Sequence, residues 1–400
     1  MNKGLKKDSV TYRISLLAII LLVSSLGQVT SDLYLPSLPS MAKSLSVNAS
    51  WIQFTIAIYM AGFSISQLIY GPWSDAVGRR VPLLVGLFIN FIGSLICWLS
   101  PSIYLLFLGR FLQGLGVGAG YTLARPILRD LFEKEALAVY NSYLAVSTVF
   151  ILSTAPILGG YIQQYAGWRY NFLFLSLYGL LILYFFYRKV SETSQYHHKD
   201  NFRFNVILTN ANTLLKHPIF LRFSLCPLLT YAGIVAWLTV VPILLQEQLG
   251  LSPVQFGWLY IFSGIGFAVG GFLNMRFVMK FGIDKMMVLG FLCQLGAGLI
   301  MLLFYLFGYM NTWVIVAPIL LFMMGSSLIF PNSSAGALMP FPKIAGTAGA
   351  LFGFMQIFGG ALSSSIMALL HDQTQLPLAI AFISMALLSI LVFYGVKSKS

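Results

Sequence analysis

Charged side chains are scarce in this chain: they make up 9% of its 400 residues, and only 11 residues are acidic. Soluble globular proteins carry about 25% charged residues. Hydrophobic residues reach 58%, so a soluble fold of this length would lack the polar surface that keeps it dispersed. The apolar residues also form repeated runs of about 20, the length that crosses a bilayer as a helix. The composition therefore predicts a polytopic membrane protein.

The spanning segments are predicted to be helices. In hydrocarbon every backbone polar group needs a partner within the protein, which leaves only helices and closed barrels. The strands of a membrane barrel alternate apolar and polar residues, and these runs do not alternate.

Residues that usually carry catalytic or metal chemistry are also few. The three cysteines, Cys97, Cys226 and Cys293, fall inside apolar runs, which favours buried packing over a disulfide framework. The four histidines, His197, His198, His217 and His371, lie in loops, without the spacing of a metal site. No Walker loop, His-Glu-x-x-His motif or nucleophile elbow is present. The sequence therefore predicts that the protein is not an enzyme and has no metal or cofactor. A channel would need a repeated pore-lining filter, and the sequence shows none.

We predict twelve transmembrane helices in two six-helix bundles, an all-α membrane fold. A polar segment, 191–218, separates an N-terminal bundle, 1–190, from a C-terminal bundle, 219–400. The predicted spans are roughly 14–36, 51–72, 82–99, 103–125, 139–161, 171–190, 219–246, 253–274, 286–308, 313–336, 345–369 and 374–396. Similar loops, one ending Val77-Gly78-Arg79-Arg80 and one of residues Met279–Lys285, join the second and third spans of each half, which indicates a faint internal repeat.

The basic residues are distributed very unevenly between the two sides of the membrane. With twelve spans, all but three of the 24 Lys and Arg residues fall on the side of the termini. The exceptions are Lys43 and Arg169 on the opposite side and Arg110 within a span. By the positive-inside rule both termini are cytoplasmic. The net charge of +13 is therefore a topology signal, and no nucleic-acid partner is predicted.

Two ionisable residues, Asp32 and Arg110, lie at membrane depth. Such groups are costly in lipid and are functional candidates by default. Each is expected about seven residues, roughly 10 Å, from the outer end of its helix, so both should face a polar cavity at one depth. A purely structural ion pair is the alternative to a titrating site. Glu247, at a helix end, is interpreted as an ordinary interfacial charge.

The span around Arg110 has two predicted faces. Gln113, Val117 and Tyr121 follow Arg110 at helical spacing, which indicates an aqueous face. Gly114 and Gly118, like Gly116 and Gly120, are four residues apart, which favours close helix packing on another face.

Several motifs resemble signatures of the major facilitator superfamily. Gly71–Arg80, GPWSDAVGRR, resembles its loop between helices 2 and 3, and Leu108–Gly120, LGRFLQGLGVGAG, its helix 4. Ala155–Ile162, APILGGYI, partly resembles the helix 5 signature of its antiporters. DLYLPSLP, from Asp32, and Pro331–Gln356 are similar to the Bcr/CflA branch of drug:proton antiporters.

The resemblance implies roles for individual residues. Asp32 would exchange protons, and Arg110 would lie beside the translocation path. Ser24 stands where some related antiporters carry a second acid, so one proton per cycle is expected. Conformational gating is assigned to Gly71, Asp75, Gly78, Arg79, Arg80, Pro156, Gly159 and Gly160.

The predicted function is proton-coupled antiport that exports small amphipathic molecules or drugs by alternating access. A dedicated metabolite or siderophore transporter of the same fold, importing or exporting, is the alternative. The resemblance implies a bacterial inner membrane, and two halves in one chain indicate that a monomer suffices. The substrate cavity is predicted to include Tyr34, Gln113, Tyr231, Trp237, Asn332 and Gln356.

Overall fold

The structure, a computed structural model, describes residues 10–132, 134–194, 204–370 and 374–396, and no strand occurs among them. The first half contains α1 (Val10–Asp32), a 3₁₀ turn (Leu35–Ser37), α2 (Leu38–Ser44), α3 (Ala49–Val77), α4 (Arg80–Leu99), α5 (Ile103–Leu131), α6 (Lys134–Tyr165) and α7 (Trp168–Lys189). The second half contains α8 (Phe204–Lys216), α9 (Pro218–Ile243), a π-helical segment (Leu244–Gln248), α10 (Pro253–Leu259), α11 (Ile261–Leu306), α12 (Thr312–Leu338), a 3₁₀ turn (Pro342–Ile344), α13 (Ala345–Leu369) and α14 (Leu376–Gly395).

The described residues include eleven helical stretches long and apolar enough to cross a membrane. One of them, Pro253–Leu306, has 54 residues and holds two spans. The two meet at Gly282, whose backbone, at φ 78° and ψ 165°, is not helical. The predicted all-α fold of twelve spans is thus confirmed.

The first span ends earlier than predicted, at Asp32 rather than at residue 36. A continuing helix would need an N–H at position 36 to donate to the carbonyl of Asp32, but Pro36 has none. The central segment also differs from the polar loop that we expected, because it contains α8. Leu214 of this helix is fully buried in a cluster with Phe220 of α9 and Ala348 of α13.

Helix α5 lies at the centre of the first bundle and contacts α1, α3 and α4. A methyl group added at Gly114 would lie 2.8 Å from the backbone nitrogen of Phe63 on α3. One at Gly116 would lie 2.7 Å from Cβ of Asn90 on α4. The predicted close packing by glycines is confirmed, and it fixes the position of Arg110 on the same helix.

Two seams join the bundles. Helices α3 and α13 touch along their length, with Gln67 opposite Gly353 and Gly71 opposite Ala350. Helices α6 and α10 form the second seam. We call the end of the bundle with the first residues of α1 and the last of α14 the termini end, and the other the far end.

Candidate functional site

The Arg110 side chain is enclosed between helices of the first bundle and has no exposed surface. Its guanidinium carbon lies 4.1 Å from the ring centre of Tyr34 and 4.3 Å from that of Tyr59. Nη1 donates to the Thr30 carbonyl at 3.2 Å and to Oε1 of Gln113 at 2.8 Å. Two aromatic faces and two oxygen acceptors therefore hold this charge without a carboxylate.

The tyrosines of this clamp are themselves held in place. The Tyr59 hydroxyl donates to the Gly27 carbonyl at 2.8 Å, and the Tyr34 hydroxyl lies 3.2 Å from Oγ1 of Thr55. Helices α1 and α3 are therefore tied to each other and to Arg110 on α5.

Asp32, the last residue of α1, is also completely buried. Oδ2 accepts a hydrogen bond from Nε2 of Gln28, one helical turn earlier. Oδ1 has no hydrogen-bond partner among the described residues. Among the residues that the structure describes, no ion pair joins Asp32 to Arg110, although their charges interact electrostatically. The alternative of a structural ion pair between them is therefore not realised here.

Two tyrosines of the second bundle lie within electrostatic range of this carboxyl group. The charge of Asp32 interacts electrostatically with the hydroxyls of Tyr231 on α9 and of Tyr260, which precedes α11. The Tyr260 ring lies 4.9 Å from that of Trp237, centre to centre. Nε1 of Trp237 and the hydroxyl of Tyr260 are buried and have no partner within the described ranges. Since buried polar atoms are normally bonded, these two donors are free to bond a ligand or water.

The other predicted cavity residues occupy different surroundings. Gln113 is buried behind Arg110, and its Nε2 donates to Ser94 on α4 at 2.8 Å. Asn332 donates to Oδ1 of Asn274 at 2.7 Å, between α12 and α11. Gln356 on α13 is half-buried. Tyr34 thus lies against Arg110, Tyr231 interacts electrostatically with Asp32, and Trp237 packs on Tyr260. Gln113 and Asn332 are engaged in other contacts.

The predicted aqueous face of α5 is not open in this structure. Arg110, Gln113 and Val117 have no exposed surface, and only Tyr121 of the four residues is exposed, to 48%. The glycines of α5 bring α1, α3 and α4 close to this helix, and the first three residues of this face are enclosed.

Close helix contacts seal the far end of the site. An added methyl group at Gly159 would lie 2.7 Å from the carbonyl carbon of Leu33, next to Asp32. Gly160 lies against the carbonyl of Pro253, and a methyl group at Gly257 would lie 2.6 Å from the Pro156 carbonyl oxygen. Of the three predicted residues of α6, Pro156 and Gly160 therefore lie at the seam with α10, and Gly159 lies against Leu33, next to Asp32.

A second charged cluster lies at the termini end. Nη1 of Arg79 donates to Oδ1 of Asp75 at 2.6 Å and to Ser74 at 2.7 Å, while its Nε lies 3.3 Å from Oδ2 of Asp130. A methyl group at Gly346, in the first turn of α13, would lie 3.2 Å from Oδ2 of Asp75. The acid therefore faces a helix N-terminus of the other bundle, where negative charge is stabilised.

Glu192, just after α7, closes this cluster over Gly78. Its carboxylate accepts the backbone N–H of Arg79 at 2.8 Å and that of Arg80 at 3.0 Å, and those of Thr193 and Ser194 at 2.9 Å each. Partial burial alone would raise the pKa of Glu192, but the hydrogen bonds from these N–H groups outweigh it and hold the pKa below its usual range.

Several of these residues were not predicted from the sequence, namely Gln28, Tyr59, Asp130, Glu192 and Tyr260. Gln28 carries a usable signal, because it lies four residues before Asp32 and so shares its helix face. Asp130 and Glu192 also stand out, as two of only 11 acidic residues. Tyr59 and Tyr260 have no such signal in a chain that is 15% aromatic.

Comparisons with known proteins agree on one family. The sequence profile of the Major Facilitator Superfamily matches residues 17–364. Multidrug resistance protein D of Escherichia coli is 33% identical over 392 residues, 96% of each protein. The bicyclomycin resistance protein homolog of Haemophilus influenzae is 29% identical over 371 residues, 92% of each.

Solved structures agree on the fold. The xylose transporter XylE from E. coli, in a partially occluded inward open conformation, superposes with a TM-score of 0.74. The alignment covers 96% of this chain and 98% of that one, at 16% identity.

Proposed function

Because this chain belongs to the major facilitator superfamily, whose members are membrane transporters and not enzymes, we propose that it is a proton-coupled antiporter. In this proposal it exports small amphipathic or drug-like molecules by alternating access. The chain is a multi-pass membrane protein that handles small molecules within a lipid bilayer. The names of the two bacterial relatives, a multidrug resistance protein and a bicyclomycin resistance homolog, support a drug-like cargo.

The observation that carries the proposal is the state of Asp32. Its carboxyl group is fully buried, bonded to a neutral amide and paired with no cation among the described residues. A buried carboxylate without an ion-pair partner is costly, whereas a protonated carboxyl group is not. We propose that Asp32 carries a proton in this closed arrangement and releases it when the bundles part at the termini end and water enters from that side.

Proton and cargo then compete for one region. When the site opens to the cytoplasm, Asp32 loses its proton, and the cargo binds against the aromatic residues Tyr34, Tyr231, Trp237 and Tyr260. When the site opens outward, Asp32 is protonated again and the cargo leaves. Arg110 remains in its tyrosine clamp and provides a fixed positive field rather than a partner that is released.

The gating proposal follows the two seams. At the far end, Gly159 and Gly160 allow α6 to reach Leu33 and Pro253. At the termini end, Asp75 and Arg79 connect the α3–α4 junction to α13. We propose that the far-end contact breaks when the site opens outward and the termini-end contact breaks when it opens to the cytoplasm. The bundles would rock about the seam between α3 and α13.

Orientation, assembly and domain division complete the proposal. Arg79, Arg80 and Lys216 lie at the termini end, which supports a cytoplasmic location for it and for both termini. We further propose a bacterial inner-membrane location, a monomeric unit, and bundles of residues 1–190 and 219–400 that move against each other.

The decisive experiment measures pH-gradient-driven efflux of a fluorescent dye from proteoliposomes. Asp32→Asn is expected to abolish gradient-driven efflux while dye exchange at equal pH persists. Asp284→Asn, the same chemical change at a carboxylate 55% exposed on the termini side, is the matched control and should transport normally. Undiminished gradient-driven efflux by Asp32→Asn would refute the coupling role.

A second measurement tests stoichiometry. Adding cargo to the purified protein in weakly buffered detergent should release one proton per molecule bound, and Asp32→Asn should release none. Proton release that persists in the variant would place the coupling group elsewhere.

A further inference from the structure

A separate cavity lies at the far end, on the outer side in the proposed orientation. Its volume is about 140 Å³. The first turn of α3 forms one wall, with Asn48, Ala49 and Ser50. The end of α9 and the π-helical segment form the other wall, with Ile243, Glu247 and Gln248, and Leu370 and Pro377 close the side. This outer pocket therefore has walls from both bundles and is distinct from the surroundings of Asp32.

The floor of the outer pocket is a polar contact across the seam. Gln53, which lines it, donates from Nε2 to the Thr239 carbonyl at 2.9 Å. Oγ1 of Thr239 in turn donates to Ser364 on α13 at 2.9 Å. The pocket thus exists where the bundles are joined, and separation of their outer ends would remove it.

The chemistry of the pocket is that of a cation site with an apolar surround. Glu247 is exposed on the rim and has no ion pair among the residues the structure describes. Val240, Ile243, Leu244 and Leu370 supply apolar contacts. An apolar body with an ammonium group fits this combination.

The backbone adds a second, independent indication. Leu244–Gln248 is a π-helical segment at the end of α9, and it carries Glu247 and Gln248 to the pocket. A π-helical turn is rare and occurs often at functional sites, because it re-aims side chains at a cost in helix geometry.

We propose that the outer pocket binds small organic ammonium compounds and that binding holds the outer ends of the two bundles together. Because its walls come from both bundles, such a ligand binds the outward-closed arrangement and not the outward-open one. A ligand shifts a conformational equilibrium by its differential affinity for the two states. A compound that acts from the outer solution therefore slows transport without competing at Asp32.

The test uses phenethylammonium as the probe and 2-phenylethanol, similar in shape but uncharged, as the control ligand. Isothermal titration calorimetry is performed on the purified full-length protein in a non-ionic detergent without added lipid. Wild type should bind the ammonium compound at least tenfold more tightly than the alcohol. Glu247→Gln should remove this preference and Glu247→Asp should retain it. Ala49→Phe, which fills the pocket without a change in charge, should abolish binding.

Asp32→Asn separates this site from the transport site, and it should bind the probe like wild type. Loss of binding in Asp32→Asn, or unchanged binding in both Glu247→Gln and Ala49→Phe, would overturn the proposal. In proteoliposomes the probe on the outer side should lower the maximal rate of dye efflux by wild type and not by Glu247→Gln. Equal inhibition of the two proteins would assign the effect to another site.

Discussion

Replacement of Gly78 by alanine tests whether the contact with Glu192 stabilises the junction of α3 and α4. Gly78 adopts φ 99° and ψ 170°, a conformation that is unfavourable for any residue with a side chain. A methyl group there would also lie 2.6 Å from the carboxyl carbon of Glu192. The substitution therefore acts on the backbone and on the carboxylate together.

The chain contains two controls that separate these effects. Gly167, at φ 98° and ψ 166°, and Gly282, at φ 78° and ψ 165°, have nearly the same backbone conformation. Within the described part of the chain, neither has a neighbour within 4 Å of the position of an added methyl group. Alanine at these two positions should cost only the backbone strain, about 1–3 kcal/mol.

Gly78→Ala should cost more than either control. Displacement of the Glu192 carboxylate breaks its bonds to the backbone N–H groups of residues 79 and 80. Hydrogen bonds to a charged group contribute about 1.5–3 kcal/mol when buried. Because Glu192 is exposed, we reduce this to about 1–2 kcal/mol for the set. The expected total is about 2–5 kcal/mol, the sum of strain and lost bonding.

The assay is unfolding in mixed micelles, followed by tryptophan fluorescence, for the three alanine variants with and without Glu192→Ala. Glu192→Ala should remove the extra cost at Gly78, giving a coupling free energy of about 1–2 kcal/mol, and leave the costs at Gly167 and Gly282 unchanged. Equal costs at all three glycines in the wild-type background would refute the reasoning.

Three further predictions concern charged groups. Arg110→Lys should lower dye efflux at least tenfold with little change in expression, because a lysine cannot reach both tyrosine rings and both oxygen acceptors. Tyr59→Phe keeps the ring and should lower dye efflux only a few-fold. Glu192→Gln should destabilise the protein at pH 7, and the difference from wild type should shrink below about pH 4. A carboxylate whose pKa is lowered in the native state contributes stability above its unfolded-state pKa, and this stability is lost as the pH falls through the native pKa. A difference that does not change with pH would contradict this. Arg222→Ala should destabilise the protein more than Asp284→Asn in the same unfolding assay. Arg222 forms a 3.0 Å ion pair with Asp284, and its guanidinium carbon also lies 3.8 Å from the ring centre of Phe393. Equal losses of stability would assign the whole effect to the ion pair.

The spans and the two membrane-depth charges were predictable because lipid imposes simple rules. A run of about 20 apolar residues admits a single backbone solution, and Asp32 and Arg110 are conspicuous in such runs. The early end of α1 was also predictable from the sequence, since Pro36 lies four residues after Asp32. What the sequence does not encode locally is the partner of each charge. Whether Arg110 faces Asp32 or two tyrosine rings depends on how three helices pack.

The predicted internal repeat also has one part that the local sequence indicates and one that only the structure reveals. The loop sequences around Gly78 and Gly282 share few residues, so the sequence gives only a faint likeness. Their backbones nevertheless adopt matching conformations, with φ positive and ψ near 165–170° at both. The geometry of the junction is common to both halves, whereas the carboxylate over the glycine is present at Gly78 and, among the described residues, absent at Gly282.

The two sides of the central cluster differ in how freely evolution can change them. Arg110, Tyr34 and Tyr59 hold one another in place, and the glycines beneath them leave no space for a larger residue, so most mutations there damage the carrier itself. Trp237 and Tyr260 have polar atoms that no described neighbour requires. Under the proposed function, substitutions that change cargo preference without damage to the fold should therefore fall at residues such as Trp237 and Tyr260 in the second half of the chain.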